Sequence, residues 1–335
     1  MSKTILPSGY RAALGLYDTQ AAIGFVKAAF QQRLSKALHL IRVSAPLFVA
    51  SNTGLNDDLN GVERPVSFDI LETGTTAQVV HSLAKWKRMA LYQYDFYCGK
   101  GLYTDMNAIR RDEEMDNLHS IYVDQWDWEV VISRQERNMD FLRETVEKIV
   151  AAICDTHQEL KAAYPAVSTA LCPKVTYFTT QELEDRYPEL SPKEREDRVA
   201  KEYGTVCLLQ IGGILRSGQK HDGRAPDYDD WDLNCDILFW NPVLEKAFEV
   251  SSKGIRVDAQ ALDRQLTLAG CDNRRAFPFH KMVLDGTLPL TMGGGIGQSR
   301  LCMLLMGNAH IGEVQVSIWD DETKAACNGA GIHLL

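Results

Sequence analysis

A cluster of glycines followed by an arginine lies near the C-terminus, in the segment 293–300 (GGGIGQSR). Glycine lets a backbone approach a ligand that side chains would exclude. The apolar run 301–305 predicts a buried helix that Arg300 opens. Because the helix dipole disfavours a cation at that end, we expect Arg300 to hold an anion; the alternative is a Gly-rich turn with a solvated arginine. The spacing fits neither the dinucleotide fingerprint nor the Gly-Lys-Ser/Thr phosphate loop.

Four further segments carry more charge than folding requires: 56–61 (NDDLNG), 81–88 (HSLAKWKR), 109–114 (IRRDEE) and 221–231 (HDGRAPDYDDW). Taken alone, the first is explained by a solvated turn and the second by a solvated basic helix face. The last is too dense in carboxylates, arginine and aromatic residues for a plain connection. Ordered loops of this length are often functional.

The segment 121–128 alternates as a strand does, with Ile121, Val123, Gln125 and Asp127 on one face. Two polar side chains therefore extend an apolar row, and burying them without partners would be costly. Either they reach solvent at a strand end, or they line a polar site.

The elements that must position these residues are helices and clustered strands. Helical periodicity predicts helices over 18–39 and 135–163, and Ser191-Pro192-Lys193-Glu194 is a capping box that opens a helix ending near Gly204. The run 41–49 predicts a strand at an edge or interface, because Pro46 at its centre cannot donate to a ladder. Further strands are expected at 206–211, 235–240 and 247–250. Strands with short connections favour an antiparallel sheet, so the fold class is α+β.

Bulk composition narrows the function classes. The 335 residues have a net charge of −9 and a pI near 5.4, which argues against a broad nucleic-acid surface. The eight cysteines are scattered and form neither a disulfide framework nor a zinc pattern. We expect no membrane span and no signal peptide, and the default location is cytoplasmic.

Several segments together resemble the class II aminoacyl-tRNA synthetases of the aspartyl and asparaginyl group. Segment 293–300 resembles their motif 3, residues 110–114 resemble motif 2, and the helix followed by the Pro46 strand resembles motif 1, which builds a dimer interface. The combination of 81–88, 122–129, 224–231 and 293–300 is more specific and resembles the ammonia-dependent A type of asparagine synthetase over about residues 18–320.

The resemblance implies a class II synthetase-like catalytic fold, with a central, mostly antiparallel sheet flanked by helices. We expect a flexible N-terminal segment (1–17), a single catalytic domain (18–335) and a homodimer through the motif 1 unit. The implied reaction is that of an aspartate–ammonia ligase in asparagine biosynthesis. ATP activates L-aspartate to β-aspartyl-AMP with loss of pyrophosphate, and ammonia then displaces AMP to give L-asparagine.

The same resemblance implies roles for particular residues. Catalysis is expected from Arg110, Gln125 and Lys87. The residues expected to bind ATP are Arg110, Ser120, Val123, Asp236, Glu249 and Arg300, with Asp236 and Glu249 also holding Mg²⁺. The residues expected to bind aspartate are Asp57, Lys87, Gln125, Asp127, Arg224, Asp229 and Ser252. One departure is Arg111, which stands where the family often has proline and could compete with Arg110 for phosphate.

Free ammonia is the expected nitrogen source. Glutamine-dependent amidotransferases use an activated cysteine, which one family of asparagine synthetases carries directly after Met1, whereas this chain has Ser2.

Two alternatives to the ligase function remain. A stand-alone aspartyl- or asparaginyl-tRNA synthetase would carry an anticodon-binding barrel before motif 1, where only about 45 residues precede Pro46. A non-catalytic synthetase-like regulator would be expected to lose one of the two adenylate-binding arginines.

Overall fold

The computed structural model describes residues 4–57 and 63–335. Its α-helices are α1 (Leu16–Ala37), α2 (Ala84–Gln93), α3 (Met139–Ala163), α4 (Thr180–Arg186), α5 (Pro192–Tyr203), α6 (Ala259–Leu268), α7 (Pro278–Leu284), α8 (Gln298–Met306) and α9 (Asp321–Gly329). Its strands are β1 (Leu40–Arg42), β2 (Phe48–Ala50), β3 (Ser67–Ile70), β4 (Thr75–Val79), β5 (Gly101–Ile109), β6 (Tyr122–Val131), β7 (Val175–Thr179), β8 (Thr205–Leu209), β9 (Asp229–Asn241), β10 (Lys246–Arg256) and β11 (Thr291–Gly297).

A large sheet with the strand order β1-β5-β6-β11-β10-β9-β8-β7 forms the centre of the molecule. Its five inner pairings, from β5 across to β8, are antiparallel, and only the outermost pairs β1–β5 and β7–β8 are parallel. The predicted α+β architecture with a mostly antiparallel central sheet is therefore confirmed. A small second sheet has the order β2-β4-β3.

The long helices α1 and α3 cover the central sheet. Helix α1 buries Ala22, Val26, Phe30 and Leu34 at helical spacing, and the Phe30 ring lies 4.8 Å from the ring of Trp126 on β6. Fully burying such a side chain contributes about 1.5–3 kcal/mol. The amphipathic pattern in the sequence thus specified both this helix and its inward face.

The glycine-rich segment is strand β11 at the middle of the sheet, so its interpretation as a turn is wrong. A Cβ on Gly293 would lie 2.0 Å from the Glu129 carboxylate, and one on Gly295 would lie 2.2 Å from the Gln125 amide oxygen. Gly293 and Gly295 are needed because side chains of the neighbouring strand β6 cross over them. Helix α8, which follows directly, is buried as predicted.

The prediction of a single strand over 41–49 is wrong, whereas its predicted position at a sheet edge is confirmed for both strands that form there. Residues 40–42 form β1 at the edge of the central sheet, residues 48–50 form β2 in the small sheet, and Pro46 lies between them. Proline has no N–H to give to a ladder, so the chain leaves one sheet and enters the other around it.

Helix boundaries follow their capping residues. The capping box at Ser191 and Glu194 is present, and α5 is capped at its C-terminal end by Gly204, where φ is +79°. The helix predicted from residue 135 begins instead at Met139, because the Asn138 side chain accepts the backbone N–H of Phe141 and caps it there.

The N-terminal residues that the structure describes contact the body of the protein. Ile5 exchanges two hydrogen bonds with the Asn117 side chain, at 2.6 and 2.9 Å, and the Tyr10 hydroxyl donates to Glu313 at 2.8 Å. The division into a flexible segment 1–17 and one catalytic domain stays a prediction. Among the described helices, none combines the length and apolar character needed to cross a bilayer.

Candidate active site

A polar cavity of about 360 Å³ lies on the face of strands β6, β10 and β11. Helix α2, the start of α8 and the loops before β6 and β9 complete its walls. The predicted site residues that line it are Asp57, Lys87, Arg110, Ser120, Val123, Gln125, Asp127, Arg224, Asp229, Glu249, Ser252 and Arg300. The remaining predicted residue, Asp236, lies beside the cavity. Residues separated by up to 243 positions in the sequence are therefore brought into one site.

Helix α2 projects Lys87 into the floor of the cavity. Its Nζ donates to Asp127 Oδ1 at 2.6 Å and to the Gly294 carbonyl oxygen at 3.1 Å, and Glu129 Oε2 lies 4.0 Å away. Burial lowers the pKa of Lys87, although the neighbouring carboxylates act to raise it. Because Lys87 is only 1% exposed, the interpretation of segment 81–88 as a solvated basic face is wrong.

The two other cations of segment 81–88 are also buried and act as structural ties. Lys85 Nζ donates to Asp227 at 3.1 Å, and the Arg88 guanidinium donates to the Val257 and Pro289 carbonyl oxygens at 2.7 and 2.9 Å. They fix helix α2 against the loops that surround the cavity, and so fix the position of Lys87.

Gln125 and Asp127 share the cavity face of β6, as the alternation predicted. Asp127 is 3% exposed, so the alternative that this row reaches solvent at a strand end is wrong. Gly295 faces both residues across the β6–β11 pairing, where it is in register with Asp127. A glycine here leaves room for their side chains.

Arg224 enters the cavity from the acidic loop 221–228. Its guanidinium donates to the Ser252 hydroxyl and, at 2.7 Å, to Asp236 Oδ1. Ser252 and Asp236 are directly opposite on β10 and β9. Burial alone would lower the pKa of Arg224, but the carboxylates of Asp236 and Asp229 outweigh it and raise the pKa overall, so Arg224 stays a cation.

A buried ion-pair network lies beneath these residues. Arg256 donates to both carboxylate oxygens of Glu129, with a shortest distance of 2.7 Å, and to Asp229 Oδ1. Burial alone would raise the pKa of Glu129, but Arg256 and Lys87 lower it overall. For Asp229, burial outweighs Arg256 and Arg224, and its pKa is raised.

Sequence reasoning missed Arg256, although it lines the cavity. The available signal was a pair of cations, Lys253 and Arg256, three residues apart near the end of a predicted β-region. Unpaired buried charges are too costly to keep, so such a pattern implies acidic partners elsewhere in the chain.

The loop that carries Arg224 is held from below by Asp227. One oxygen of this fully buried carboxylate accepts hydrogen bonds from Lys85 at 3.1 Å, Arg274 at 3.0 Å and His280 at 2.9 Å. Burial would raise the pKa of Asp227, but these cationic and hydrogen-bonding partners hold it far below its usual range. Asp229, two residues later, is therefore placed by a rigid anchor.

Of the first acidic segment, 56–61, the structure describes Asn56 and Asp57, and residues 58–61 fall outside the described residues. Asp57 is 2% exposed and lines the cavity. Its carbonyl oxygen lies 3.0 Å from His81 Nδ1. The interpretation of this segment as a solvated turn is therefore wrong for Asp57.

Arg110 and Arg300 both line the cavity, and each is held by a neighbouring group. Arg110 follows β5, where its N–H donates to the Ile121 carbonyl oxygen at 2.8 Å and its guanidinium lies 3.6 Å from Glu113. Arg300 donates to the Glu249 carbonyl oxygen at 3.2 Å. Arg111 is exposed, and the neighbouring Asp112 is held by Arg64.

Ser120 and Val123 line the cavity on either side of Ile121, whose carbonyl oxygen accepts the Arg110 N–H, and so flank Arg110 on one side of the cavity. The Ser120 hydroxyl lies 2.9 Å from that of Ser317, which fixes the end of the loop between β5 and β6. His119, which sequence reasoning did not single out, also lines the cavity, with Nδ1 2.9 Å from Asp116. This side combines a hydrogen-bonded wall with cations, as a nucleotide phosphate requires.

Few carboxylates are arranged for a metal. Within residues 4–57 and 63–335, no three His, Cys, Asp or Glu side chains are grouped as a metal cage. Glu249 lines the cavity, whereas Asp236 is bound by Arg224. This donor set fits Mg²⁺ only in the form it takes in nucleotide sites, with one or two carboxylates and the rest of the shell from phosphates and water.

Solved structures with a similar fold define the class. An asparaginyl-tRNA synthetase of Entamoeba histolytica, solved with asparaginyl-adenylate, superimposes with a TM-score of 0.64 over 89% of this chain and 66% of its own, at 14% identity. The corresponding Pyrococcus horikoshii enzyme gives 0.65 over 89% and 68%, at 15% identity. The fold is thus that of a class II aminoacyl-tRNA synthetase catalytic domain.

Sequence comparison gives the family. A family model described as aspartate-ammonia ligase matches residues 17–331. Aspartate–ammonia ligases of Bacillus cytotoxicus and Clostridium tetani are each 57% identical, over 97% and 99% of this chain and 99% and 98% of their own. The chain belongs to the aspartate–ammonia ligase family, and the family predicted from its motifs is confirmed.

Proposed function

We propose that the cavity converts L-aspartate, ATP and ammonia to L-asparagine, AMP and pyrophosphate through a β-aspartyl-adenylate. One observation carries the proposal: a buried pocket of matched acids and cations lies beside two arginines, Arg110 and Arg300, in a single cavity. The pocket suits a small amino acid with three charges. The arginines suit a polyphosphate.

The α-carboxylate of aspartate is bound by Lys87 and Arg224, and its α-ammonium by Asp57 and Asp229. In the cavity, Lys87 is paired with Asp127, and Arg224 with Asp236. The α-amino and α-carboxyl groups of a bound amino acid add one charge of each sign to these two pairs, and the ammonium group faces the further carboxylates of Asp57 and Asp229. Since a buried unpaired charge is costly, a zwitterion is favoured over a simple acid or amine.

The β-carboxylate is left to face the nucleotide. Gln125 contacts it, and Arg110 bridges it to the α-phosphate of ATP with the two parallel donors of its guanidinium. An oxygen of the β-carboxylate attacks the α-phosphorus, the bond to pyrophosphate breaks, and β-aspartyl-AMP forms. Ser120 and Val123 position the nucleotide, and Arg300 holds the terminal phosphates.

Mg²⁺ would be held by Glu249, with Asp236 as the second candidate carboxylate beside it. When bound, the ion neutralises phosphate charge and makes pyrophosphate a better leaving group. The step that joins two anions needs preorganised positive charge, and the two arginines supply it from the protein itself.

Ammonia completes the reaction. The lone pair of NH₃ attacks the activated carbonyl carbon, AMP departs, and the surplus proton passes to a nearby carboxylate. Asp57, Asp127 and Asp229 line the cavity and are the candidates to attract ammonium and accept its proton. At fixed total ammonium, activity should rise with pH above neutrality because the fraction present as NH₃ rises.

The quaternary structure proposed is a homodimer through α1 and the strands that follow it. Ile41 of β1, Leu47, and Phe48 of β2 are 60%, 52% and 43% exposed. Three large exposed apolar residues within eight positions of the chain support an interface in this segment. All eight cysteines lie within the described residues and are free thiols, which fits the proposed cytoplasmic location.

The decisive experiment offers the enzyme three acceptors. Protein, ATP, Mg²⁺ and aspartate are incubated with ammonium, glutamine or tRNA, and asparagine, AMP and aminoacyl-tRNA are quantified. We expect asparagine and AMP in equal amounts with ammonium, and little with glutamine. Turnover with glutamine equal to that with ammonium would contradict the nitrogen source, and charging of tRNA without free asparagine would contradict the ligase.

The roles of the arginines are tested separately. Arg110→Ala and Arg300→Ala should each reduce aspartate-dependent exchange of pyrophosphate into ATP more than a hundredfold, because each loses about 3 kcal/mol of transition-state stabilisation. Arg111→Ala is the matched control, since Arg111 is exposed beside Arg110. Near-normal exchange in either of the first two variants would contradict its assigned role.

A further inference from the structure

Helix α8 begins without a side-chain cap from its own N-cap residue. Its N-cap residue is Gly297, which has no side chain to accept the N–H groups of the first turn. Arg300 lies in that same turn, so a guanidinium is placed near the positive end of the helix dipole. Both features disfavour this helix start unless an anion compensates them.

Asp124 of strand β6 supplies that anion. Its Oδ1 accepts the backbone N–H of Ser299 at 3.0 Å, and its Oδ2 accepts the Ser299 hydroxyl at 2.8 Å. Gln315 donates to Asp124 Oδ1 at 3.2 Å and to the Ser299 hydroxyl oxygen at 3.1 Å. Asp124 and Ser299 are 6% and 1% exposed, so these bonds are shielded from water.

A cation from helix α1 completes the arrangement. Lys27 Nζ donates to Asp124 Oδ2 at 3.1 Å. Although burial would lower the pKa of Lys27, the Asp124 carboxylate raises it overall. The Asp124 carboxylate therefore caps the N-terminus of α8 and also balances the positive charge of Lys27.

We propose that Asp124 is a positioning residue for Arg300: it caps α8 from the neighbouring strand and so holds the arginine where ATP phosphates bind. The inference rests on the proposed role of Arg300 in ATP binding. Removing the negative charge leaves Arg300 in a helix turn without its compensating anion. The turn then frays or shifts, and ATP affinity falls.

The aspartate pocket should be spared, because its cations come from elsewhere. Lys87 is fixed by helix α2 and Arg224 by the loop before β9, and neither is bonded to Asp124 or Ser299. A loss confined to the nucleotide therefore distinguishes positioning of Arg300 from a general loss of structure.

The test is equilibrium binding of Mg²⁺–ATP to Asp124→Asn by titration calorimetry, together with the KM for aspartate. Asparagine keeps the size of the side chain and one acceptor oxygen but removes the charge. We expect at least tenfold weaker ATP binding and an aspartate KM within twofold of the parent. Thr169→Val is the matched control: its hydroxyl donates to the Leu305 carbonyl oxygen at 2.6 Å, near the other end of α8, and ATP affinity should stay within twofold.

A double-mutant cycle with Arg300→Ala identifies the route of the effect. In the Arg300→Ala background, Asp124→Asn should change ATP affinity by less than twofold, because the group it positions is already gone. A full tenfold loss there, or a loss below twofold in the parent background, overturns the inference.

If Asp124→Asn does not fold, Ser299→Ala takes its place in the cycle, with an expected loss of at least threefold in the parent background only; equal losses in both backgrounds overturn the inference. Unchanged ATP binding in Arg300→Ala overturns the role of Arg300 and the inference together, whereas weakened binding in that variant with intact binding in Asp124→Asn overturns the inference alone.

Discussion

Replacing Gly295 by alanine should impair the use of aspartate while leaving the protein folded. Gly295 lies in β11 opposite Asp127, and an added Cβ would lie 2.2 Å from Gln125 Oε1 and 3.2 Å from Asp127 Oδ1. Ordinary contact begins at 3.4 Å, so the Gln125 amide oxygen must move by about 1.2 Å. The atom that moves is the end of a flexible side chain, and the backbone can stay in place.

The expected magnitude follows from that displacement. A misplacement of about 1 Å in a group that orients a substrate costs on the order of a hundredfold in rate, or about 2.7 kcal/mol. We therefore expect kcat/KM for aspartate to fall about a hundredfold in Gly295→Ala, with ATP binding within threefold of the parent. The free energy of unfolding should change by less than about 1 kcal/mol, since alanine is not disfavoured relative to glycine in a strand.

Gly294→Ala is the matched control because its Cβ meets the backbone of β10 and a Cβ fixed to that backbone, not the end of a flexible side chain. The added atom would lie 2.5 Å from Lys253 Cβ, 2.6 Å from the Ser252 carbonyl oxygen and 3.0 Å from Lys253 Cα. Relief requires β10 and β11 to separate, so we expect destabilisation by about 1–3 kcal/mol or more. Asparagine synthesis at varied aspartate and urea denaturation measure the two effects. An aspartate kcat/KM within threefold of the parent in Gly295→Ala would refute the reasoning.

Three further outcomes are expected. Lys87→Met should lower the free energy of unfolding by about 3–5 kcal/mol, since it leaves buried Asp127 without its cation; thermal denaturation checks this, and a loss below 1 kcal/mol would contradict the pairing. Burial lowers the pKa of His157 to about 4, so as pH falls the unfolded state binds this proton first, near pH 6.5. The free energy of unfolding should therefore fall between about pH 6.5 and pH 4, by up to about 1.4 kcal/mol per pH unit. Urea denaturation across that range should show a smaller change of the free energy of unfolding with pH for His157→Asn. Ile41→Glu should convert the proposed dimer to a monomer by light scattering, because Ile41 is 60% exposed at the proposed interface; an unchanged dimer would place the interface elsewhere.

Local features of the sequence were sufficient for several elements. Helix α1 lies within two residues of its predicted bounds, and the capping box at Ser191 and the alternation of β6 appear as predicted, because each depends on residues within about one turn or one strand pair. The family could also be predicted, since its motifs are contiguous segments. The roles assigned to individual site residues stay predictions.

The burial of the charges was decided by the tertiary structure. Nothing local distinguishes Lys87 from a solvated lysine, since its partner Asp127 is 40 residues away and the carbonyl oxygen of Gly294 is 207 residues away. Arg256 escaped sequence reasoning for the same reason, because its acids Glu129 and Asp229 come from two other strands.

The sequence by itself determined which chemical groups this protein carries and the short elements that present them. The tertiary structure decided which of those groups meet. Position 295 of strand β11 requires glycine because the Gln125 and Asp127 side chains of the adjacent strand occupy the space beside it. The strands on either side of Pro46, β1 and β2, pair with partners in different sheets. Pairing between strands and between charges depends on distance in space, which the order of residues along the chain does not fix.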